Sequence, residues 1–360
     1  MKKVYKATYI LWAFMIFLSC DNQKVSHEDY TSVSSQTQLT DHEEKLKALP
    51  DDPVAIAKIA SRQMIHHNNL QSFNIPKGDH NIRTPFPPNF TKILGTLDTI
   101  EPYDLSINRT PENRLIGACV SESYFLAGLL RYKNIPVRIR AGYFKNINKY
   151  PDHIIGFWEH VARYKGFNAQ LMNEDSLAWK ENQNAYTQSQ IDADHHIEHW
   201  ICEYWNKEKQ QWILLDANID FLKLSSKIEV DYELPKKYFE YAYEAWMSMR
   251  ENSKYNPEMH AEYPQDGRSH IRSQLLVDFY NLLNHDISCY SNIDLPSKDF
   301  VKQKTYADLS NQELFELDAL ANLLSKNPTT NQLINFYNES KTLKINSAQM
   351  DSFSFVSSKN

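Results

Sequence analysis

Apolar positions along the chain change their period several times, and each change marks an element. After Asp52-Pro53, Ile56, Ile59, Ala60 and Met64 recur at helical spacing, with an aspartate placed to cap and a proline in the first helical position. A second helix is predicted from Cys119 to Lys133, with Phe125, Leu126, Leu129 and Leu130 on one stripe and Asn134-Ile135-Pro136 to end it. Val137, Ile139, Ala141 and Tyr143 then alternate with Arg138 and Arg140, the period-two pattern of a half-buried strand. Two β-rich runs, His196 to Trp205 and Gln211 to Asp216, flank Asn206-Lys207-Glu208-Lys209-Gln210 and predict a hairpin. Beyond Leu234 the spacing turns helical: Phe239, Ala242, Tyr243 and Trp246 share a face, as do Ile271, Leu275, Phe279, Leu282 and Leu283. Ser310-x-x-Glu313 is a capping box that opens a last helix over Leu314, Leu317, Leu320, Ala321 and Leu324.

Other stretches carry no period. Residues 21–45 are polar and bury too little to offset their ordering entropy, which predicts a flexible tether spanning roughly 25 to 30 Å. Between Ile75 and Thr110 prolines at 76, 85, 87, 88 and 102 predict an extended loop, and residues 146–194 read as an insertion over the site. The expected division is a signal peptide (1–19), a lipidated tether (20–45), an N-terminal helical and extended region (46–110), a core (111–220), a helical extension (221–345) and a disordered tail (346–360).

The amino terminus adds localisation. Lys2, Lys3 and Lys6 precede an apolar stretch that ends at Phe17-Leu18-Ser19-Cys20, too short to span a bilayer but suited to a cleaved signal. Phe17 to Cys20 resembles the bacterial lipobox, and that resemblance implies lipidation of Cys20 with an acyl chain such as palmitate. The body would then hang from the membrane of the bacterial cell envelope, on the periplasmic side or at the surface. Loss of the three lysines takes the formal charge from −6 to −9, an acidic balance that argues against nucleic acid as partner. Cys119, Cys202 and Cys289 remain, an odd set that is not a disulfide framework.

A thiol in an exported protein needs a reason, and Cys119 stands where a helix begins, a position whose free N–H groups lower a thiol pKa. Gly117 just before it is free to take an unusual dihedral. Counting outward from Lys207-Glu208 pairs Trp205 with Gln210, Glu203 with Trp212, and His199 with Asp216. Opposed residues share a sheet face, so the carboxylate could orient the imidazole and leave its other nitrogen for a thiol. Cys202, three residues after His199, falls on the opposite face and reads with Cys289 as structural. The cluster His195, His196, Glu198 and His199 invites a metal, but a zinc-protease helix needs His-Glu-x-x-His at helical period and this run is strand-like. No metal is therefore assigned. No phosphate loop or dinucleotide fingerprint is present either, which leaves no cofactor to expect.

Gly117-Ala118-Cys119 opening a helix, the block Leu129 to Arg138, and Ala141-Gly142-Tyr143 resemble the transglutaminase-like superfamily. So do His199-Trp200-Ile201-Cys202-Glu203-Tyr204-Trp205 and Trp212-Ile213-Leu214-Leu215-Asp216, in the family's Cys, His, Asp order. Within it, HWICEYW and Leu317 to Ala321 are similar to a bacterial subgroup known only as transglutaminase-like, from which Val120 and the long 146–194 stretch depart. The resemblance implies an α+β, papain-like core in which a helix bearing the cysteine packs on an antiparallel sheet, with helical extensions. It implies Cys119 as nucleophile, His199 as base and Asp216 as orienting carboxylate, with Gly117, Trp200 and Trp212 expected at the substrate. The expected activity is hydrolysis of a peptide or protein amide through a thioester, or transamidation if an amine replaces water. A binding lipoprotein that keeps the fold without turnover is the alternative.

Overall fold

The computed structural model describes residues 27–66, 69–70, 73, 75, 89–100, 105–145, 196–226, 229–261, 266–285 and 305–344. The chain mixes helices with an antiparallel sheet, an α+β arrangement. Helix α1 covers Glu43–Leu46, α2 Pro53–Gln63, α3 Phe90–Ile100 and α4 Cys119–Tyr132, with strand β1 at Met64–His66 and β2 at Leu115–Gly117. Then come β3 (Val137–Phe144), β4 (Ile197–Asn206), β5 (Gln211–Leu215), α5 (Ile219–Ser226), β6 (Phe239–Tyr241), α6 (Ala242–Glu251), α7 (Gly267–Leu282), α8 (Asn311–Leu324) and α9 (Thr330–Glu339).

Local chemistry sets several boundaries. Asp52 Oδ1 accepts the Ala55 N–H at 2.7 Å and opens α2, and Ser310 with Glu313 forms the capping box of α8. Helix α4 stops because Asn134 adopts φ 55°, a left-handed turn in which Ile135 N–H returns to Leu130 C=O at 3.0 Å, and Pro136 then forbids continuation.

The four-stranded sheet has the order β5-β4-β3-β6, every pair antiparallel. Helix α4 lies across β3 and β4, and α7 against β3. Val137, Ile139, Ala141 and Tyr143 join Trp200, Cys202 and the α4 side chains in the main core, while Ile201, Leu214 and Phe144 meet Ile219, Leu222 and Phe239 in a second. Truncating one fully buried aromatic such as Phe125 costs about 3–5 kcal/mol. Because both faces are covered, β3 is buried along its whole length. That corrects the half-buried strand read from the alternation: Arg138 and Arg140 are 3% and 4% exposed, matched by carboxylates instead of water.

Three other expectations change. Residues 27–45 are not a loose tether: Tyr30 is fully buried with its hydroxyl on Leu282 C=O, His27 stacks on Trp205, and Thr37 Oγ1 accepts from Arg131 at 2.6 Å. A few well-placed partners offset the ordering cost that low average hydropathy hides. The 75–110 loop contains α3, whose Phe90, Ile93, Leu94 and Leu97 fill one buried stripe, since the four earlier prolines all precede it and Pro102 follows. Phe239, read as helical, lies in β6, and α6 starts only at Ala242. The signal segment with Cys20, the 146–194 stretch, Cys289 and the 346–360 tail lie outside the described residues. Among the described residues no helix is long and apolar enough to cross a membrane.

Candidate active site

The approach to Cys119 is pinned by a short parallel pairing of β1 with β2, in which Met64 faces Leu115 and His66 faces Gly117. Ala118 follows as N-cap and has no side-chain acceptor to offer. Ser121 supplies the local bonds instead: its Oγ accepts the Ala118 N–H at 3.0 Å and lies 3.0 Å from the Ala118 carbonyl. Gly117 leaves room here for two side chains. A Cβ would come within 2.6 Å of both Met64 Cε and Ser121 Oγ, whereas its backbone has no left-handed dihedral, contrary to the sequence-based expectation. Cys119 is thereby the first residue of α4.

Strand β4 carries the histidine. The hairpin turn comprises residues 207–210, with Gln210 at φ 52° and Asn206 Oδ1 accepting the N–H groups of Glu208 and Lys209. The ladder therefore runs Asn206↔Gln211, Trp205↔Trp212 and Cys202↔Leu215, two positions away from the register counted from the sequence. An even slip keeps faces unchanged, so His199 and Asp216 still share one. His199 Nε2 meets Asp216 Oδ2 at 2.6 Å, and both residues are buried. The other carboxylate oxygen accepts the Asn218 N–H at 2.7 Å, and the Asp216 N–H donates to Tyr232 C=O at 2.9 Å. An anchored carboxylate of this kind fixes the proton on Nε2 and leaves Nδ1 basic. His199 Nδ1 is buried and has no hydrogen-bond partner among the described residues.

Helix α4 covers the opposite face of β4, where Trp200 packs edge-on to Tyr124 at 6.2 Å and Cys202 Sγ reaches Ser123 C=O at 3.4 Å. Cys119 nonetheless reaches the histidine strand. The Trp205 N–H points to Pro136 on the β3 side, so by alternation the Trp200 N–H points to the β5 side, where the ladder has already ended at Leu215. That N–H acts on the Cys119 thiol, one residue along β4 from His199.

The thiol is not the acidic one expected of a helix N-terminus. Burial pushes its pKa well up, the Glu198 carboxylate adds to this, and the Trp200 N–H only partly opposes them. Glu198 is itself held by Trp200 Nε1 at 3.1 Å and His270 Nε2 at 3.1 Å. In the first turn of α4, burial and then the nearby Asp216 and Asp220 push Glu122 well above the carboxylate range, against a smaller opposing effect of Arg114.

Of the residues expected at the substrate, Trp200 is fully buried in the core, so its ring has no surface to offer. Trp212 stacks under the Arg138 guanidinium at 4.0 Å, four residues and roughly 13 Å along β5 from Asp216. Neither ring is brought to the His199–Asp216 pair. Glu122 was not singled out from the sequence and Glu198 only within the cluster that invited a metal, although the two-residue periodicity does place Glu198 beside Trp200 on the helix face. Comparison of the chain with protein-family models, with curated proteins and with solved structures returned no match.

Proposed function

We propose that this chain is a membrane-anchored, transglutaminase-like cysteine hydrolase acting on peptide or protein amides through a thioester, on a papain-like core. The observation that carries the reading is the buried His199–Asp216 pair at 2.6 Å with Nδ1 unpartnered among the described residues, one residue along β4 from Trp200, whose N–H acts on a cysteine that opens a helix. With the thiol pushed up, the resting sulfur is a neutral thiol, and Asp216 orients the imidazole that receives its proton. The thiol proton passes to His199 Nδ1 as sulfur attacks the carbonyl carbon. Unpaired N–H groups of the first turn of α4 hold the oxyanion. His199 returns the proton to the leaving amine, the C–N bond breaks, and water then attacks the thioester with the same base. An amine in place of water gives transamidation. The peptide or protein substrate is met at the cell envelope, with the anchor on Cys20.

A second reading, a binding module without turnover, draws on the 7% exposure of Cys119 and its raised thiol. One experiment separates them: brief exposure of the full chain to 4-nitrophenyl acetate, followed by mass spectrometry. An acetyl group on Cys119, formed in a burst and lost in His199→Ala, supports the hydrolase. No adduct on Cys119, or one indifferent to His199→Ala, leaves the binding module.

A further inference from the structure

We infer that His196, Glu240 and His260 form a binding site for a divalent transition-metal ion of the zinc class. Three separate segments converge there: the start of β4, strand β6, and the turn Pro257–His260. His196 Nδ1 lies 2.9 Å from Glu240 Oε2, His260 Nε2 lies 3.5 Å from the same oxygen, and the three ligand atoms all lie within 4.8 Å of one another. Ligands around a tetrahedral ion, with bonds of about 2.0–2.2 Å, stand roughly 3.3–3.6 Å apart. Side-chain torsion changes that move the ligand atoms by up to about an ångström would bring the three to that spacing.

The backbone already fixes these positions. The His196 N–H donates to Met259 C=O at 2.9 Å, tying β4 to the turn one residue before His260. Glu240 faces Tyr143 in the β3–β6 ladder, and the Tyr143 ring packs on His260 with centroids 4.2 Å apart. His270 Nδ1 bonds the His260 carbonyl at 2.7 Å and holds its backbone. Such supporting contacts around the ligands are what orients a metal site.

The donor set selects the ion. Two imidazole nitrogens and one carboxylate suit zinc and its neighbours, while calcium and magnesium want oxygen cages and copper(I) wants sulfur. Three protein ligands leave a fourth position, and coordination through His260 Nε2 would displace its present bond to the Tyr255 hydroxyl. Glu240 and His260 are buried at their side chains and His196 is 14% exposed, so the ion would enter past His196. The metal pattern dismissed in the sequence placed His195, His196 and His199 together. Of the described residues of that run, His196 belongs here, and its partners lie far along the chain.

The test uses the full chain in detergent, stripped with a chelator and titrated with Zn2+ in competition with a chromophoric chelator. One equivalent should bind, and His196→Ala should weaken binding by more than the roughly 10–100-fold that losing a supporting partner costs. Cys119→Ala and Cys202→Ala should bind as the parent does. With Co2+ the parent should show the d–d bands of a nitrogen and oxygen site without thiolate charge transfer, a readout that needs no variant to fold. Uptake well below one equivalent, a thiolate band, or affinity unchanged by His196→Ala in a chain that still unfolds cooperatively would each overturn the assignment.

Discussion

The His199 imidazole and the Asp216 carboxylate meet at 2.6 Å although they are not opposite one another: the β4–β5 ladder ends at Cys202↔Leu215, and Asp216 reaches His199 diagonally past that end. Diagonal neighbours on one face lie about 7–8 Å apart at the backbone, a gap that an aspartate and a histidine together can close. The pair lies past the last ladder position, where the Asp216 N–H, pointing away from β4, anchors the residue on Tyr232 C=O.

Asp216→Asn keeps the side-chain shape and an acceptor for the Asn218 N–H but loses the charge that orients His199. Acyl-enzyme formation should slow by about 10²–10⁴-fold, the usual contribution of general acid–base catalysis. The thermal midpoint should move little. Asp216→Ala should also destabilise by about 1–3 kcal/mol, since His199 Nε2 is left buried without a partner. Single-turnover kinetics beside thermal unfolding checks both, and an unaffected rate in Asp216→Asn would remove the carboxylate from the mechanism.

The raised thiol sets a pH dependence. Because the pKa of Cys119 lies well above the ordinary thiol value, thiolate is scarce at neutral pH, and alkylation by iodoacetamide should climb as the solution is made more alkaline. Glu198→Gln removes the Coulombic push that ranks after burial, so the profile should shift toward lower pH. Alkylation that stays fast in mild acid would instead reveal a resting thiolate–imidazolium pair.

At the other end of β3, Glu203 Oε2 accepts from Arg138 at 2.6 Å and Arg140 at 2.9 Å, Tyr241 bonds its other oxygen, and Asp278 takes Arg140. Burial pushes Glu203 up, but the two guanidinium groups and Tyr241 outweigh it and hold the carboxyl at about 2, below its ordinary 4.5. A lowered folded-state value stabilises the protein above pH 4.5 and ceases to do so as pH falls toward about 2. Glu203→Gln should flatten that part of the stability–pH curve. Glu203→Ala leaves buried guanidinium groups with one acceptor fewer and should cost about 3–5 kcal/mol at neutral pH, read by urea unfolding.

Gly142 faces His199 on one side and Tyr241 on the other, and a Cβ there would stand 2.2 Å from the Glu240 carbonyl. Gly142→Ala should displace β6 and cost about 1–3 kcal/mol, as overpacking does. Retention of the parent's thermal midpoint would mean that β6 yields without loss.

For the anchor, the wild-type chain expressed in a bacterium should partition with membranes, and Cys20→Ala should not mature normally. Recovery of unlipidated wild type beginning at another residue would remove the lipid from the account.

What the chain determined by itself is local. Asp52-Pro53, Ser310-x-x-Glu313, the β3 alternation and Asn134-Ile135-Pro136 act within a few residues, where capping, side-chain period and ring sterics decide, and the elements formed where those signals stand. The shared face of His199 and Asp216 was also legible, since parity survives a register slip of two. The register itself was not, because Gln210 takes a left-handed turn that composition does not specify. Tertiary structure alone decided the electrical character of the site. Helix position favours a reactive thiol, yet burial and the approach of Glu198 raise the pKa of Cys119, and both depend on what covers the sulfur. It also buried Arg138 and Arg140 by bringing Glu203 and Asp278 to them, and drew Tyr30 into the core from a polar stretch. These outcomes rest on contacts between residues far apart in the chain, which no local period encodes.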